Sequence, residues 1–272
     1  MTSTVDTMGA RARLDDQMEQ LFGDGWPAFI TADQVVKEHI GTVRQLFADL
    51  ELVVLDAEDV PVAAGWAVPL QWNGDPAHLP GGYSDSLARA VEGQAADETP
   101  DTMVVMAAQV HPGRRGQGLA GELLTAMRDQ AHQRGWPRVI APVRPTLKNR
   151  YPLQPIEQFS SWTRSDGLAL DPWLRTHQRL GAKIIAAAPA SQTMTGTVDQ
   201  WEEWTSMRFP DSGIYVIPDG LSTLRIDLGN DTGIYVEPNV WMQHPHRALS
   251  RVSGRRGGGG GGRRQDDWRR QV

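Results

Sequence analysis

Residues 110–124 read Val-His-Pro-Gly-Arg-Arg-Gly-Gln-Gly-Leu-Ala-Gly-Glu-Leu-Leu. The apolar run Met103–Val110 leads into this stretch, and Leu119, Leu123, Leu124, Met127 and Ala131 lead out of it at helical spacing. The pattern is strand, glycine turn, amphipathic helix, with Gly135 ending the helix. The first turn of a helix presents unpaired N–H groups and the positive end of its dipole, a setting that holds anions. Gly116 and Gly118 let a phosphate approach the backbone, and Arg114 and Arg115 add charge at the rim.

Two familiar phosphate motifs do not fit. A P-loop ends in Gly-Lys-Ser/Thr, which is missing here. Gly116-x-Gly118-x-x-Gly121 matches the dinucleotide fingerprint in form. That fingerprint follows the first strand and needs an acid about 20 residues on. Here the turn follows three strands, and the apolar strand Val139–Val143 ends in Arg144.

Upstream, Leu14, Met18, Leu21 and Phe22 mark a first helix. A second, with Thr31 as N-cap, carries Val35, Val36, His39, Val43, Leu46 and Phe47 on one face. Glu51–Asp56 and Pro61–Val68 form a hairpin, and a short helix opens at Ser84 or Asp85. Downstream, residues 144–170 read as a loop. Asp171 and Pro172 start a helix that Gly181 ends, and Lys183–Ala188 is a strand. Gly213–Pro218 and Gly233–Pro238 repeat Gly-Ile-Tyr-Val-x-Pro, which predicts a β-meander. The aromatics of this region, Trp201, Trp204, Tyr215, Tyr235 and Trp241, fit an acceptor pocket, or more simply the small core of a sheet extension.

The chain has 272 residues, no cysteine and a net charge of −6. Disulfides, thiolate metal sites and a cysteine nucleophile are excluded. From Arg247 on, eight arginines face two aspartates, a local +6, so the body before them carries −12. An acidic body argues against nucleic-acid binding, the Arg-rich tail aside, and suits an amine-bearing partner. No apolar run is long enough for a membrane span or a signal peptide, which points to a cytoplasmic protein. His244-Pro-His246 lacks a third ligand for a metal.

Arg115, Gly118 and Ala120 fit the pattern Arg/Gln-x-x-Gly-x-Gly/Ala. In this context the chain resembles the Gcn5-related N-acetyltransferases. The resemblance implies an α/β fold, a mixed and mostly antiparallel sheet flanked by helices, here with an aromatic-rich β extension. It implies a fourth strand, Met103–Val110, that splays from a fifth, Val139–Val143, with acyl-CoA lying in the gap. Val110 would pair with pantetheine amides. Arg114, Arg115, Gly116, Gln117, Gly118, Leu119 and Ala120 would hold the pyrophosphate, and Asn149 would assist. The expected organisation is a disordered 1–10, a transferase domain over 11–190, an extension over 191–246 and a disordered Arg/Gly tail over 247–272.

The resemblance further implies transfer of acetyl from acetyl-CoA to a small-molecule or peptide amine, by direct attack and without a metal. The family's acid, a Tyr before Leu-Gly, is replaced here by His177, and the aromatic after the glycine by Ala182. An imidazole can donate a proton near neutral pH, so His177 is the candidate acid. His111, Glu157 and Asp166 are the candidate bases, because Met103–Val110 carries no carboxylate. Two other readings stay open: a non-catalytic acyl-CoA-binding module, and acyl transfer or decarboxylation on a carrier-protein-bound thioester.

Overall fold

The computed structural model describes residues 3–7 and 26–245. The expected first helix and the Arg/Gly tail lie outside the described residues. In chain order the elements are β1 (Thr4–Thr7), α1 (Gln34–Leu46), β2 (Glu51–Leu55), β3 (Pro61–Leu70), α2 (Tyr83–Ala95), β4 (Thr102–Val110) and α3 (Leu119–Gln133). There follow β5 (Arg138–Val143), α4 (Ile156–Ser160), α5 (Pro172–Arg179), β6 (Lys183–Gly196), α6 (Val198–Thr205), β7 (Gly213–Val216), β8 (Thr223–Asp227) and β9 (Thr232–His244).

The strands form one sheet in the order β1-β2-β3-β4-β5-β9-β8-β7, with β6 on β9. Every pairing is antiparallel except β4–β5. That parallel pair holds only Thr102–Val104 against Arg138–Ile140. Beyond it, Val105–Val110 and Ala141–Val143 run on without each other. The register of β3 against β4 shifts at Trp66/Ala67, leaving Met106 as a bulge. A bulge bends its strand and strengthens the local twist. Here it falls just where β4 leaves β5.

Adjacent residues of β3 show which helices cover which face. A Cβ on Gly65 would lie 2.7 Å from Met127 Cε of α3 and 2.5 Å from the Ala107 carbonyl. Trp66 points the other way and meets Tyr83 of α2 edge-on at 6.1 Å. So α3 packs on one face, with α5 beside it, and α1 and α2 pack on the other. The main core lies along both faces from Val43 to Met242. A second core gathers Phe29, Met194, Trp201, Phe209 and Tyr235 under β7–β9.

Several expectations are corrected. Thr4–Thr7 is a strand on β2, not disordered chain. Asp33 rather than Thr31 caps α1, because its carboxylate reaches the Val36 N–H at 3.1 Å while Thr31 sits in the preceding 3-10 turn. The loop 144–170 contains α4. Strand β6 continues past Ala188 to Gly196, so the expected boundary at 190 falls inside a strand. Pro238 sits within β9, but opposite an irregularity in β6 between Ala188 and Gln192, where no ladder bond needs its missing N–H.

Candidate active site

The glycine turn is built as its sequence requires. After β4, His111 caps a 3-10 turn over Pro112–Arg114, its Nδ1 accepting from the Gly113 N–H at 3.2 Å. Gly116 and Gly118 follow at φ +80° and +86°, the left-handed region where a Cβ is strained. Gly118 is the N-cap of α3 and offers no side-chain cap. The N–H groups of Leu119, Ala120 and Gly121 therefore keep their outward valence. A Cβ at either glycine would meet nothing within 4 Å, so the face above the turn is open. Arg115 and Gln117 are exposed around it, and Leu119 and Ala120 are half-buried. A pyrophosphate fits this cradle. Arg114 is partly drawn away, pairing with Asp56 at 2.8 Å. Ser3 donates to Glu122 of the first turn at 2.6 Å, tying the start of the chain beside the cradle.

From the cradle, β4 leads back along the gap. Val110 is half-buried and paired with Ala63. On their β5 side, Val105–Val110 have no strand partner, so their backbone groups on that edge face the gap. Backbone donors so placed can hold amides of an extended arm, or the oxygen of a thioester.

Of the candidate acid and bases, His111 stands at the turn itself, while His177, Glu157 and Asp166 lie elsewhere. His177 is 2% exposed, its Nδ1 2.9 Å from His244 Nε2 and its ring against Trp173. Burial, then the charge of His244, lowers its pKa to about 3. His244 is likewise lowered to about 4, by burial and then by Arg128. Near neutral pH both rings are uncharged, so His177 has no imidazolium proton to give. Glu157 and Asp166 are exposed, Asp166 standing 3.6 Å from Arg164, and neither hydrogen-bonds β4 or β5. Asn149 turns its amide to Asp219 at 3.5 Å rather than to the glycine turn. Of the expected residues, the structure thus brings together Val110, His111 and the turn Arg115–Ala120.

A buried polar cluster at the end of β5 was not foreseen. Glu237 is 0% exposed and takes a charge-assisted bond from Arg144 Nε. Its other oxygen accepts from Tyr235 Oη at 2.6 Å, and that hydroxyl accepts from the Leu221 N–H at 2.7 Å. Arg144 also donates to the Asp219 carbonyl at 2.8 Å. Burial opposes the guanidinium charge, but the Glu237 charge and hydrogen bond outweigh it, so the pKa of Arg144 moves up. Lys148, 1% exposed, donates to the carbonyls of Tyr151 (2.8 Å) and Leu221 (2.6 Å). Burial lowers its pKa to about 8 against the pull of Glu237. One signal was available: Arg144 ends an apolar strand, and Glu237 stands inside an apolar repeat. Trp201 and Tyr235, considered for a pocket, are fully buried and fill the second core.

No family model matches the chain. The chain is 31% identical over 248 residues to the arginine N-acetyltransferase avaD of Aspergillus versicolor, a match spanning 81% of this chain and 85% of the relative. Among solved structures it resembles the loading GNATL domain of CurA from Lyngbya majuscula, with TM-score 0.54 and 17% identity over 90% of this chain and 98% of that one. It also resembles the GphF GNAT-like decarboxylase in complex with isobutyryl-CoA, with TM-score 0.53 and 19% identity over 90% and 99%. At such identities these two structures speak for the fold alone.

Proposed function

Since the chain belongs to the Gcn5-related N-acetyltransferase family of acyl-CoA-dependent acyltransferases, we propose that it moves acetyl from acetyl-CoA to the amine of a small acceptor. The observation that carries this reading is the continuity of cradle and gap. An open, uncapped helix start at Gly118 joins a strand edge with no partner, and that edge ends at the Met106 bulge. Phosphates suit the first feature and amides the second. The thioester would then lie near the bulge, its carbonyl oxygen within reach of β4 backbone N–H groups.

The chain's contribution to the chemistry is orientation and electrostatics. The neutral amine attacks the thioester carbon, and β4 N–H groups steady the charge that develops on oxygen. Carbon–sulfur cleavage then yields the amide and the CoA thiol, and the proton released by nitrogen balances the one gained by sulfur. Among the described residues no buried side chain is placed to relay that proton, so water in the gap carries it.

The test is calorimetry with acetyl-CoA on wild type and Gly118→Trp, followed by thiol release with an amine panel. Binding that the variant loses, together with amine-dependent thiol release, supports the reading. A folded wild type that binds no acetyl-CoA overturns it.

A further inference from the structure

The face of the sheet opposite α3 holds the far side of the gap. Gln109 lies on that face, because its partner Ala64 neighbours Gly65, whose own side faces α3. Tyr235 lies on it too, touching Phe29 at 5.1 Å, and so does Glu237 two residues on. Arg144 reaches this face through its bond to Glu237.

Gln109, Arg144 and, by the alternation along β9, Trp241 have donors to spare there, and the first two flank the gap. Gln109 is 8% exposed, and its Nε2 is buried without a hydrogen-bond partner. A buried amide donor without a partner is unfavourable, so its presence calls for a use. The Nε and Nη2 groups of Arg144 are committed to Glu237 and Asp219, while Nη1 has no partner among the described residues. The Trp26 ring lies 6.0 Å from the guanidinium carbon. Val104 and Ile140 are the last paired residues of β4 and β5, and Gln109 and Arg144 stand five and four positions further along the diverging strands. They are nearly level on opposite walls of the gap.

We propose that Gln109 and Arg144 anchor a carboxylate of the acceptor, so that the amine substrate is an amino acid or carries a carboxylate close to its amine. The inference rests on the acyl-transfer reading above. Both groups offer N–H donors, and the guanidinium is held in one orientation by a buried carboxylate, as a planar oxygen ligand requires. Glu237 pairs with Arg144, and Lys148 stands behind them on the Leu221 carbonyl, so the cluster of two cations and the Glu237 and Asp219 carboxylates carries no net negative charge to repel an anion. The Asp219 carboxylate is exposed and directed at Asn149.

The experiment compares L-arginine, L-lysine and L-phenylalanine with their carboxamides as acceptors. The readout is the ratio of kcat/KM for acid over amide, which a merely structural role for either residue would not move. Wild type is expected to favour the acid by about tenfold or more, mostly through KM. Arg144→Gln should bring the ratio close to one, and Gln109→Leu should bring it part of the way. Arg144→Gln leaves Glu237 buried and unpaired, so if it does not fold, the double variant Arg144→Gln/Glu237→Gln takes its place. A wild-type ratio near or below one, or variants that slow acid and amide in parallel, overturns the anchor while acyl transfer stands. The anchor also falls if other amines of a wider panel are acetylated but no amino acid is. If no amine at all releases CoA thiol, acyl transfer itself fails and the anchor with it.

Discussion

Gly118 and His177 carry opposite lessons at the scale of single residues. Gly118 holds φ +86° with open space around it, so its need for glycine is conformational. Gly118→Ala should strain the turn by about 1 kcal/mol, lowering the melting temperature by about 2–4 °C, and, as the turn relaxes away from the cradle shape, weaken acetyl-CoA binding roughly fivefold by calorimetry. Its place in the turn was legible because a glycine between strand and helix has few other uses. That of His177 was not. Its position fits the family's acid, but sequence does not reveal that a second histidine, 67 residues away, lies against it in the core. His177→Phe should keep the shape of the pH–rate profile near neutrality, where a catalytic acid would lose one limb. Stability has a definite sign here. Both histidines have pKa values lowered in the folded state from 6.5, to about 3 and about 4, so the unfolded chain binds more protons across that window. The urea midpoint should therefore be highest above pH 6.5 and decline as pH falls toward 4. In His177→Phe the decline should be shallower.

Two features set the geometry of the gap at the scale of elements. One is the seat of α3 on β3. Gly65→Ala would push Met127 and the Ala107 carbonyl apart beside the Met106 bulge. An expected loss of about 1–3 kcal/mol in chemical denaturation should come with a larger KM for acetyl-CoA, since the bulge shapes the strand edge. The other is the start of α5. Asp171 is buried, and it accepts from Trp173 (2.8 Å) and Leu174 (2.9 Å) of its own helix and from Leu147 (2.6 Å) of the loop after β5. Asp171→Ala orphans three N–H groups and should cost about 2 kcal/mol or more by urea titration. The Asp-Pro start of α5 could be read from sequence, because capping is local chemistry. Its third bond could not, nor could the bulge, because both depend on where distant segments meet. The failed cap at Thr31 has the same origin: two side chains two residues apart competed, and the 3-10 turn decided between them.

The order of strands, helices and glycine turn from β2 to β6 was legible in the whole molecule except for α4, since periodicity and punctuation report it directly and a five-residue helix shows neither. The mode of attachment of the aromatic region was not. It joins the sheet through β9 and the buried cations Arg144 and Lys148, which grip the segment from Asp219 to Leu221. Trp201, 0% exposed, donates to the Gly233 carbonyl at 2.9 Å and holds the second core together. Trp201→Ala should cost about 3–5 kcal/mol in thermal or denaturant unfolding. The place of β9 has a further consequence. It is the last described strand to leave the ribosome, yet it pairs with β5, β6 and β8. Until residue 244 has been synthesised, those three strands expose edges that only β9 can cover, and much of the sheet has to wait for it. Such long-range closure slows folding and leaves nascent chains open to mispairing, so yield in the cell should depend on how fast the ribosome translates the stretch from 232 to 244.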